Sequence, residues 1–576
     1  MRREQKHWGW GEPGAGPHLS DHAIGLMREW LGVSGAVVSS PVPLDDVHLP
    51  APSSPEGLRD ALERAVGTEH VRDDARSRVL RAAGRSYLDL LALRSGAFAA
   101  PDLVVAPGSD DEVQAVLHAC AEAGAAVIPF GGGTSVVGGV APERGRWEAA
   151  VSLDLGRLDA LLDVDTVSRT ARVQAGRRLP ELDHELARHG LRLGHVPQSY
   201  EWATVGGCAA TRSAGQASTG VGRFDELVVA LRCVTPVGEL ATLAVPASAA
   251  GPDLGALVLG SEGALGVITE LTLRLRPVAS EQRYEAWLLR SFESGLEAMR
   301  ALAQADVAPD VARLSDEDET RATLALAGPG SPARRAALRA LGFRPGCLLI
   351  AGWEGDAQSV AMRRAAATHV LRSAAGAAGG ASSVGGGLSP SAASRPASPG
   401  RRRSVAARLR RDLVPLGRGP GEAWRASRFA GPHLRDALLD RGVMVETLET
   451  ATTWSGLGAL HRAVRAALAS ALAATPPAVG CHVSHLYPDG ASLYFTVFAR
   501  QDADDPAGQW IAAKRAAGDA IAAHRASITH HHAIGRDHAR WLEAEDGPVG
   551  VELLRAAKER CDPAGIMNPG KLLPAG

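Results

Sequence analysis

The chain has 576 residues, 45% of them hydrophobic and 22% charged, which excludes disorder as its main state and exceeds what one hydrophobic core serves, so about two to four domains are expected. A formal net charge of -2 supplies no global field for nucleic acid or an anionic membrane surface, so an anionic ligand must be met by local donors. Six cysteines without a CxxC or disulfide-framework spacing suit a reducing cytoplasm, and no apolar signal region or span of roughly 18 apolar residues is present. A cytoplasmic protein is expected, with peripheral membrane contact and a homodimer left open.

The N-terminus, "MRREQKHWGWGEPG", is basic and then aromatic and glycine-rich, and residues 1–96 read as a mainly helical region. In "SPEGLRDALERAV", Ser54 is able to cap and Leu58, Leu62 and Val66 share one helix face. The texture changes across residues 97–280. There "DLVVAPGSDDEVQAVLHACAEAGAAVIPFGGG" spells strand, capped amphipathic helix, strand and glycine loop, a βαβ unit. Strand-like segments continue through "AAVSLDLG", "SRTARVQAG", "ELVVALRCVTPVGEL" and "LGVITELTLRLRP". Residues 281–545 mix helices and strands as a second domain, with "ASLYFTVFAR" a half-buried strand. Within it, residues 374–421 are poor in apolar bulk and rich in Gly, Ser, Pro and Arg, which predicts a disordered insertion with Arg401 to Arg403 in a solvated linker. Residues 546–576 read as a helix followed by an extended end punctuated by Pro and Gly.

The most informative stretch is "PFGGGTSVVGG", Pro129 to Gly139. Three glycines after a strand let backbone N–H groups approach a phosphate, with the Thr134 and Ser135 hydroxyls beside them. The spacing is neither GxGxxG nor a P-loop, so alone it serves equally as a structural turn. Two more glycine-bearing segments follow in order, "PQSYEWATVGGCAATRSAG" and "GSEGALGVITE".

This ordered set resembles the FAD-binding domain of the vanillyl-alcohol-oxidase (PCMH-type) flavoproteins, and "CDPAGIMNPGKLL" resembles their C-terminus, which folds back onto that domain. The resemblance implies an α+β fold: a PCMH-type FAD-binding domain of two α+β subdomains, an α+β cap domain for substrate, and the helical N-terminal region. It implies that Pro129, Phe130, Gly131, Gly132, Gly133, Thr134 and Ser135 hold the diphosphate. Gln198, Ser199, Thr204, Thr211, Arg212, Ser213 and Ala214 would line the flavin, and Glu262, Gly263, Leu265, Gly266, Val267 and Ile268 the adenine side. The phosphate loop has no histidine, so FAD is expected without a covalent bond.

Four features resemble the alkyldihydroxyacetonephosphate synthase family: "GHVPQSYEWATVGG", "VARLSDEDET", "HLRDALLDRGVMVETLETATTW", and "CHVSHLYPDGASLYFTVFAR" followed by "HHH". "HWGWGEPG" is similar to its bacterial relatives. The family exchanges the acyl group of acyl-dihydroxyacetone phosphate for a long-chain alcohol in ether-lipid synthesis, without net redox. Such chemistry needs proton removal beside a ketone, a flavin to hold the three-carbon unit, and cations for the phosphate.

By the resemblance Tyr494 is the acid/base, a phenol whose usual pKa near 10 requires activation, and Arg435 meets the substrate phosphate. Arg313, Thr447 and His195 join the substrate site, and His485 is left outside it. His530, His531 and His532 are expected as a metal-free hydrogen-bonding cluster that tunes Tyr494; in an extended segment His530 and His532 converge and His531 faces away. Relatives commonly carry Gly where this chain has Ala533, and a positive φ there would strain Ala by roughly 1 kcal/mol. The expected partner is a small lipid substrate, not nucleic acid. An FAD-linked oxidase or dehydrogenase of a 2-hydroxy acid or alcohol is the alternative, and a flavin-binding protein without turnover the third reading.

Overall fold

Ser109 accepts a hydrogen bond from Glu112 N and starts the helix Asp110–Ala123, which Gly124 ends with φ 70°. That helix joins the strands Leu103–Val105 and Ala125–Phe130, so the expected βαβ unit forms. The computed structural model describes residues 3–14, 16, 19–326, 336, 338–340, 342–377 and 412–573.

The βαβ strands belong to a four-stranded sheet in the order Val71–Arg72, Leu103–Val105, Ala149–Asp154, Ala125–Phe130, the last three parallel. A second, antiparallel sheet orders Leu161–Asp165, Thr170–Gln174, Val267–Arg274, Val228–Thr235 and Gly238–Ala241. Separate cores, one around Val127 and Val151 and one around Leu182 and Leu271, make these two α+β subdomains.

The remaining chain builds a seven-stranded antiparallel sheet in the order Leu413–Gly417, Glu281–Leu289, Cys347–Gly355, Val311–Ser315, Ala478–Leu486, Gly490–Arg500, Val443–Thr453. Alternation along these strands gives the sheet two characters. Leu314, Leu349, Leu448, Val483 and Phe495 face a core they share with Leu457 and Val464 of the helix Trp454–Ala471. The intervening positions, among them Arg313, Thr447, His482 and Tyr494, face a cavity.

The N-terminal helices do not make a sizeable core of their own. Each short helix buries a single apolar stripe, and the stripes go to different neighbours: Leu58, Leu62 and Val66 to the first subdomain, Tyr87 and Leu90 to the cap core, Met27 to Leu438 and Val443. Of the expected insertion at 374–421, residues 378–411, including Arg401 to Arg403, lie outside the described residues. Its expected C-terminal limit is corrected. Leu413–Gly417 pairs with the strand Glu281–Leu289 and buries Leu413, and the helix Arg418–Ser427 follows at once.

The C-terminal segment returns to the first sheet. Met567 bridges Val127, Asn568 N donates to Val127 O at 2.8 Å, and Asn568 Nδ2 donates to Gly139 O at 3.0 Å and Glu262 O at 2.7 Å. One buried amide thereby ties two cavity loops together.

Candidate active site

A cavity of ≈ 460 Å³ lies between the polar face of the seven-stranded sheet and loops of both subdomains. Its floor begins where the strand Ala125–Phe130 runs out. A Cβ on Gly131 would sit 2.4 Å from Thr204 Oγ1, and one on Gly132 2.2 Å from Trp202 O; Gly133 has φ +64°. Larger residues would fill the cradle, so the glycines keep backbone N–H groups accessible. Pro129 and Gly131 to Ser135 line the cavity, while the Phe130 ring lies under Gly133 and 5.4 Å from the Arg81 guanidinium.

Gln198, Ser199, Thr204, Thr211, Ser213 and Ala214 line the next wall, followed by Glu262, Gly263, Gly266 and Ile268. Four expected cofactor residues do not line the cavity: Phe130, placed under Gly133, and Arg212, Leu265 and Val267. Arg212, at φ 47°, turns its guanidinium to Leu259 O (2.9 Å) and Ala256 O (2.7 Å). Leu265, in the turn before the strand Val267–Arg274, and Val267, at its start, are buried among core residues. The phosphate loop carries small hydroxyls and main-chain donors with no basic side chain, a donor set that fits a pyrophosphate bound through N–H groups. The residues present therefore fit FAD.

On the sheet side, Tyr494 stands opposite Glu449 on one neighbouring strand and His482 on the other, so all three share a face. Tyr494 hydrogen-bonds Thr447, stacks on His482 at 4.9 Å and on His531 at 6.0 Å, and meets His532 edge-on at 5.5 Å. Burial, reinforced by Glu446 and Glu449 against Thr447 and Arg435, pushes the phenol up to about 12. At neutral pH Tyr494 therefore holds its proton.

Arg435, on the helix Gly431–Leu439, lines the same cavity. Its Nη2 donates to Arg85 O at 2.7 Å, its Nη1 lies 3.7 Å from Glu446 Oε1, and its buried Nε has no partner among the described residues. Arg313 is more fully engaged: Nη2 donates to Glu319 Oε1 at 2.8 Å and Nη1 lies 3.2 Å from His482 Nε2. Burial opposes charge on Glu319, yet Arg313 and His482 hold its carboxyl down to about 2. Arg313 thus fixes His482 under the Tyr494 ring.

The histidine segment curls about one carboxylate. Glu449, 2% exposed, accepts from His530 N (2.6 Å), His531 N (3.1 Å), His532 N (2.9 Å) and Thr529 Oγ1 (2.6 Å). Burial works against its charge, but His531, His532, His530 and the Thr529 hydroxyl outweigh that and hold it well below the usual carboxylate range. Since successive N–H groups converge on one acceptor, the backbone is not extended and the expected alternation fails. His531 and His532 line the cavity, whereas His530 turns away, its Nε2 2.7 Å from Tyr487 Oη. Ala533 takes φ 72°, the strained conformation anticipated for it.

His485, left out of the site on sequence grounds, lines the cavity and stacks on His530 at 5.1 Å. A β-bulge between Ser484 and Leu486 puts it at φ 52° and breaks the alternation that would have pointed it elsewhere. One ring nitrogen from each of His485, His530 and His531 lies within 4.8 Å of the others, and the His530 and His531 Nδ1 atoms are 3.0 Å apart. Burial pushes His530 down to about 3 and lowers His485, His531 and His532 as well, so the rings are neutral at pH 7.

His195 is corrected too. It is fully buried behind the cavity wall, its Nε2 3.2 Å from Ser213 Oγ and its ring edge-on to Phe224, and burial drives it down to about 3. The sequence reading missed Glu449, Glu319 and His482. A signal existed for the first: the two acidic residues, Glu446 and Glu449, inside the otherwise apolar and hydroxyl-bearing strand "VMVETLETATT" demand buried partners. Trp10 was also missed; it lines the cavity, with its N–H on Asp436 Oδ2 at 2.7 Å.

Three outcomes are expected. Glu449→Ala, which orphans buried N–H groups, lowers unfolding stability by at least about 3 kcal/mol in denaturant melts, with Glu449→Gln costing less. Ala533→Gly raises it by about 1 kcal/mol. His195 stays neutral in the folded chain but takes a proton in the unfolded chain below about pH 6.5, so its contribution is present above that pH and lost as pH falls toward 3. In thermal melts from pH 6 to 4, His195→Gln should therefore lose stability more slowly, by up to about 1.4 kcal/mol per pH unit, and equal slopes would contradict this.

The family described as FAD linked oxidases, C-terminal domain, matches residues 278–572, and the family described as FAD binding domain matches residues 101–244. The chain is 30% identical over 542 residues to the alkyldihydroxyacetonephosphate synthase of Trypanosoma brucei brucei, covering 92% of this chain and 82% of that protein. To the alkyldihydroxyacetonephosphate synthase of Dictyostelium discoideum it is 30% identical over 549 residues, 92% and 83% of the two chains. A solved alkyldihydroxyacetonephosphate synthase superposes with a TM-score of 0.79 at 26% identity, covering 99% of each chain. With the glycine cradle and the polar sheet face on opposite walls of one cavity, these likenesses make the chain an FAD-dependent member of the alkyldihydroxyacetonephosphate synthase family.

Proposed function

We propose that the protein replaces the acyl group of an acyl-dihydroxyacetone phosphate with a long-chain alcohol, producing an ether-linked lipid precursor without net redox. The observation that carries this reading is a protonated phenol and neutral imidazoles facing one cavity that also holds an arginine nitrogen without a partner among the described residues. Bound FAD supplies an electron-accepting ring able to hold the three-carbon unit between loss of the acid and entry of the alcohol.

The side chains divide the remaining work. Arg435 offers its Nε to a phosphate oxygen while Arg85 O and Glu446 fix its other nitrogens. Leu434, Leu438, Val445 and Phe498, packed together, line the cavity with Trp10 and give an alkyl chain an apolar wall. His531 and His532, neutral and backed by the Glu449 carboxylate, suit the acceptance of the proton beside the ketone, since the carboxylate stabilises the imidazolium formed. Tyr494, which keeps its proton, suits donation from Oη with Thr447 orienting it. The family expectation that Tyr494 is the base shifts toward His531.

FAD is held without a covalent bond, and cytoplasmic residence belongs to the same proposal; all six cysteines are unpaired, as a reducing compartment leaves them. Anaerobic mixing with acyl-dihydroxyacetone phosphate and hexadecanol should give ether product and free fatty acid with the flavin still oxidised at the end. Acid precipitation should release the FAD. Tyr494→Phe should slow exchange by about 100-fold or more at unchanged FAD content. Lasting bleaching by a 2-hydroxy acid, with no ether product, would favour a dehydrogenase instead.

A further inference from the structure

The histidine loop holds a chain of hydrogen-bonding contacts that leads from the reaction cavity toward Tyr487. Tyr487 follows the strand Ala478–Leu486 and precedes the exposed Pro488 and Asp489. It is half-buried, with its N–H on Gly490 O at 2.9 Å and its carbonyl accepting from Trp454 Nε1 at 3.1 Å, so the ring has a fixed origin. Its hydroxyl lies 2.7 Å from His530 Nε2, and His530 Nδ1 lies 3.0 Å from His531 Nδ1. His531 in turn lines the main cavity against Tyr494. On the far side, a second cavity of ≈ 340 Å³ is lined by Arg223, His530 and His531. Arg223 Nη1 reaches His530 O at 3.4 Å, and its Nη2 is held by Asp225 at 2.5 Å.

We infer that Tyr487, His530 and His531 form a proton relay between the outside of the protein and the reaction cavity, with Tyr487 and His530 as positioning residues for the proton chemistry of His531. A neutral imidazole has one N–H and one bare nitrogen, and a 3.0 Å contact between two Nδ1 atoms requires one proton between them. Two arrangements satisfy both contacts. In the first, Tyr487 donates to a bare His530 Nε2, His530 donates from Nδ1, and His531 carries its proton on Nε2. In the second, His531 donates from Nδ1, His530 Nδ1 is bare, and the His530 proton on Nε2 points at the phenol oxygen.

The two interconvert without leaving a net charge. Inward, a solvent proton binds the Tyr487 oxygen, which passes its own to His530 Nε2; His530 Nδ1–H goes to His531 Nδ1, and His531 Nε2–H goes to the reacting carbon. One proton enters and one is delivered. The outward direction reverses each transfer and removes the proton abstracted beside the ketone. Stacking of His485 on His530 at 5.1 Å and the His530 N–H on Glu449 hold the middle ring in the plane that both contacts need. Among the described residues His532 has no such chain behind it: its main-chain N–H ties the loop to Glu449, and its ring meets Tyr494 and His531 as aromatic neighbours.

The relay rests on the proposed proton role of His531, and two readouts separate the failure of one from the failure of the other. In the FAD-loaded protein labelled with ¹⁵N-histidine, the expected spectrum has His530 and His531 both neutral with a through-hydrogen-bond coupling between their Nδ1 atoms. In heavy water, wild type should carry deuterium into the carbon beside the ketone, and Tyr487→Phe should slow that entry at least 10-fold while FAD content and KM stay unchanged. A purely structural Tyr487 would alter stability and leave the deuterium entry in step with turnover. Equal entry in both proteins overturns the relay, as does a spectrum with both Nδ1 atoms unprotonated, or one stoichiometric divalent metal bound to the two rings. If wild type makes no ether product, the exchange reading fails and the histidine spectrum alone decides the relay.

Discussion

The site depends on one buried carboxylate. Glu449 sits in the middle of the edge strand Val443–Thr453, where its charge is unfavourable unless fully solvated by the protein. Main-chain N–H groups from three consecutive residues and the Thr529 hydroxyl supply that solvation, and in doing so they dictate the path of the histidine loop. Since Glu449 is also the cross-strand partner of Tyr494, the same residue sets the distance between phenol and imidazoles. Remove the anion and the loop has no reason to curl; straighten the loop and His531 leaves the ring of Tyr494.

Around that centre the chain joins parts that are far apart in sequence. Glu262, in a loop of the cofactor half, accepts from Ile534 N at 3.0 Å and Gly535 N at 2.7 Å just beyond the histidines. Asn568 holds the Glu262 carbonyl from the other side, and the N-terminal strap reaches the substrate half through Lys6 and Trp10, both on Asp436 beside Arg435. A Cβ on Gly9 would lie 2.4 Å from Asp436 Oδ2, so the strap's glycine is there for close approach. Loops and termini thus join the two halves of the cavity.

What the sequence made legible follows the physics of each signal. Strand alternation and the capped helix of the βαβ unit are local, and they placed the first sheet and the half-buried strand carrying Tyr494. The glycine loop was legible because close approach leaves no alternative residue, as the contacts of Gly131 and Gly132 with Thr204 and Trp202 make plain. The histidine loop was not, because its geometry is set by Glu449, some eighty positions upstream, and local periodicity carries no information about such a pairing. His485 escaped for a related reason: a single bulge residue reverses the side to which it points. His195 misled in the opposite direction. A histidine beside a cofactor-lining segment looks chemical, yet its ring packs edge-on to Phe224 and its nearest polar partner is a serine in the wall.

Environment also sets the protonation states within the site. A tyrosine is a base only if something stabilises its phenolate, and here burial does the reverse, with the carboxylates of Glu446 and Glu449 adding to its effect. The same burial strips the imidazoles of protons and leaves them as acceptors, with a carboxylate behind them to favour the charge they take up. Phenol and imidazole are therefore poised in complementary states by a single local condition, exclusion of water around one anion. A site arranged this way lets protons pass along hydrogen bonds, which gives the contact between the His530 and His531 rings chemical weight out of proportion to its size.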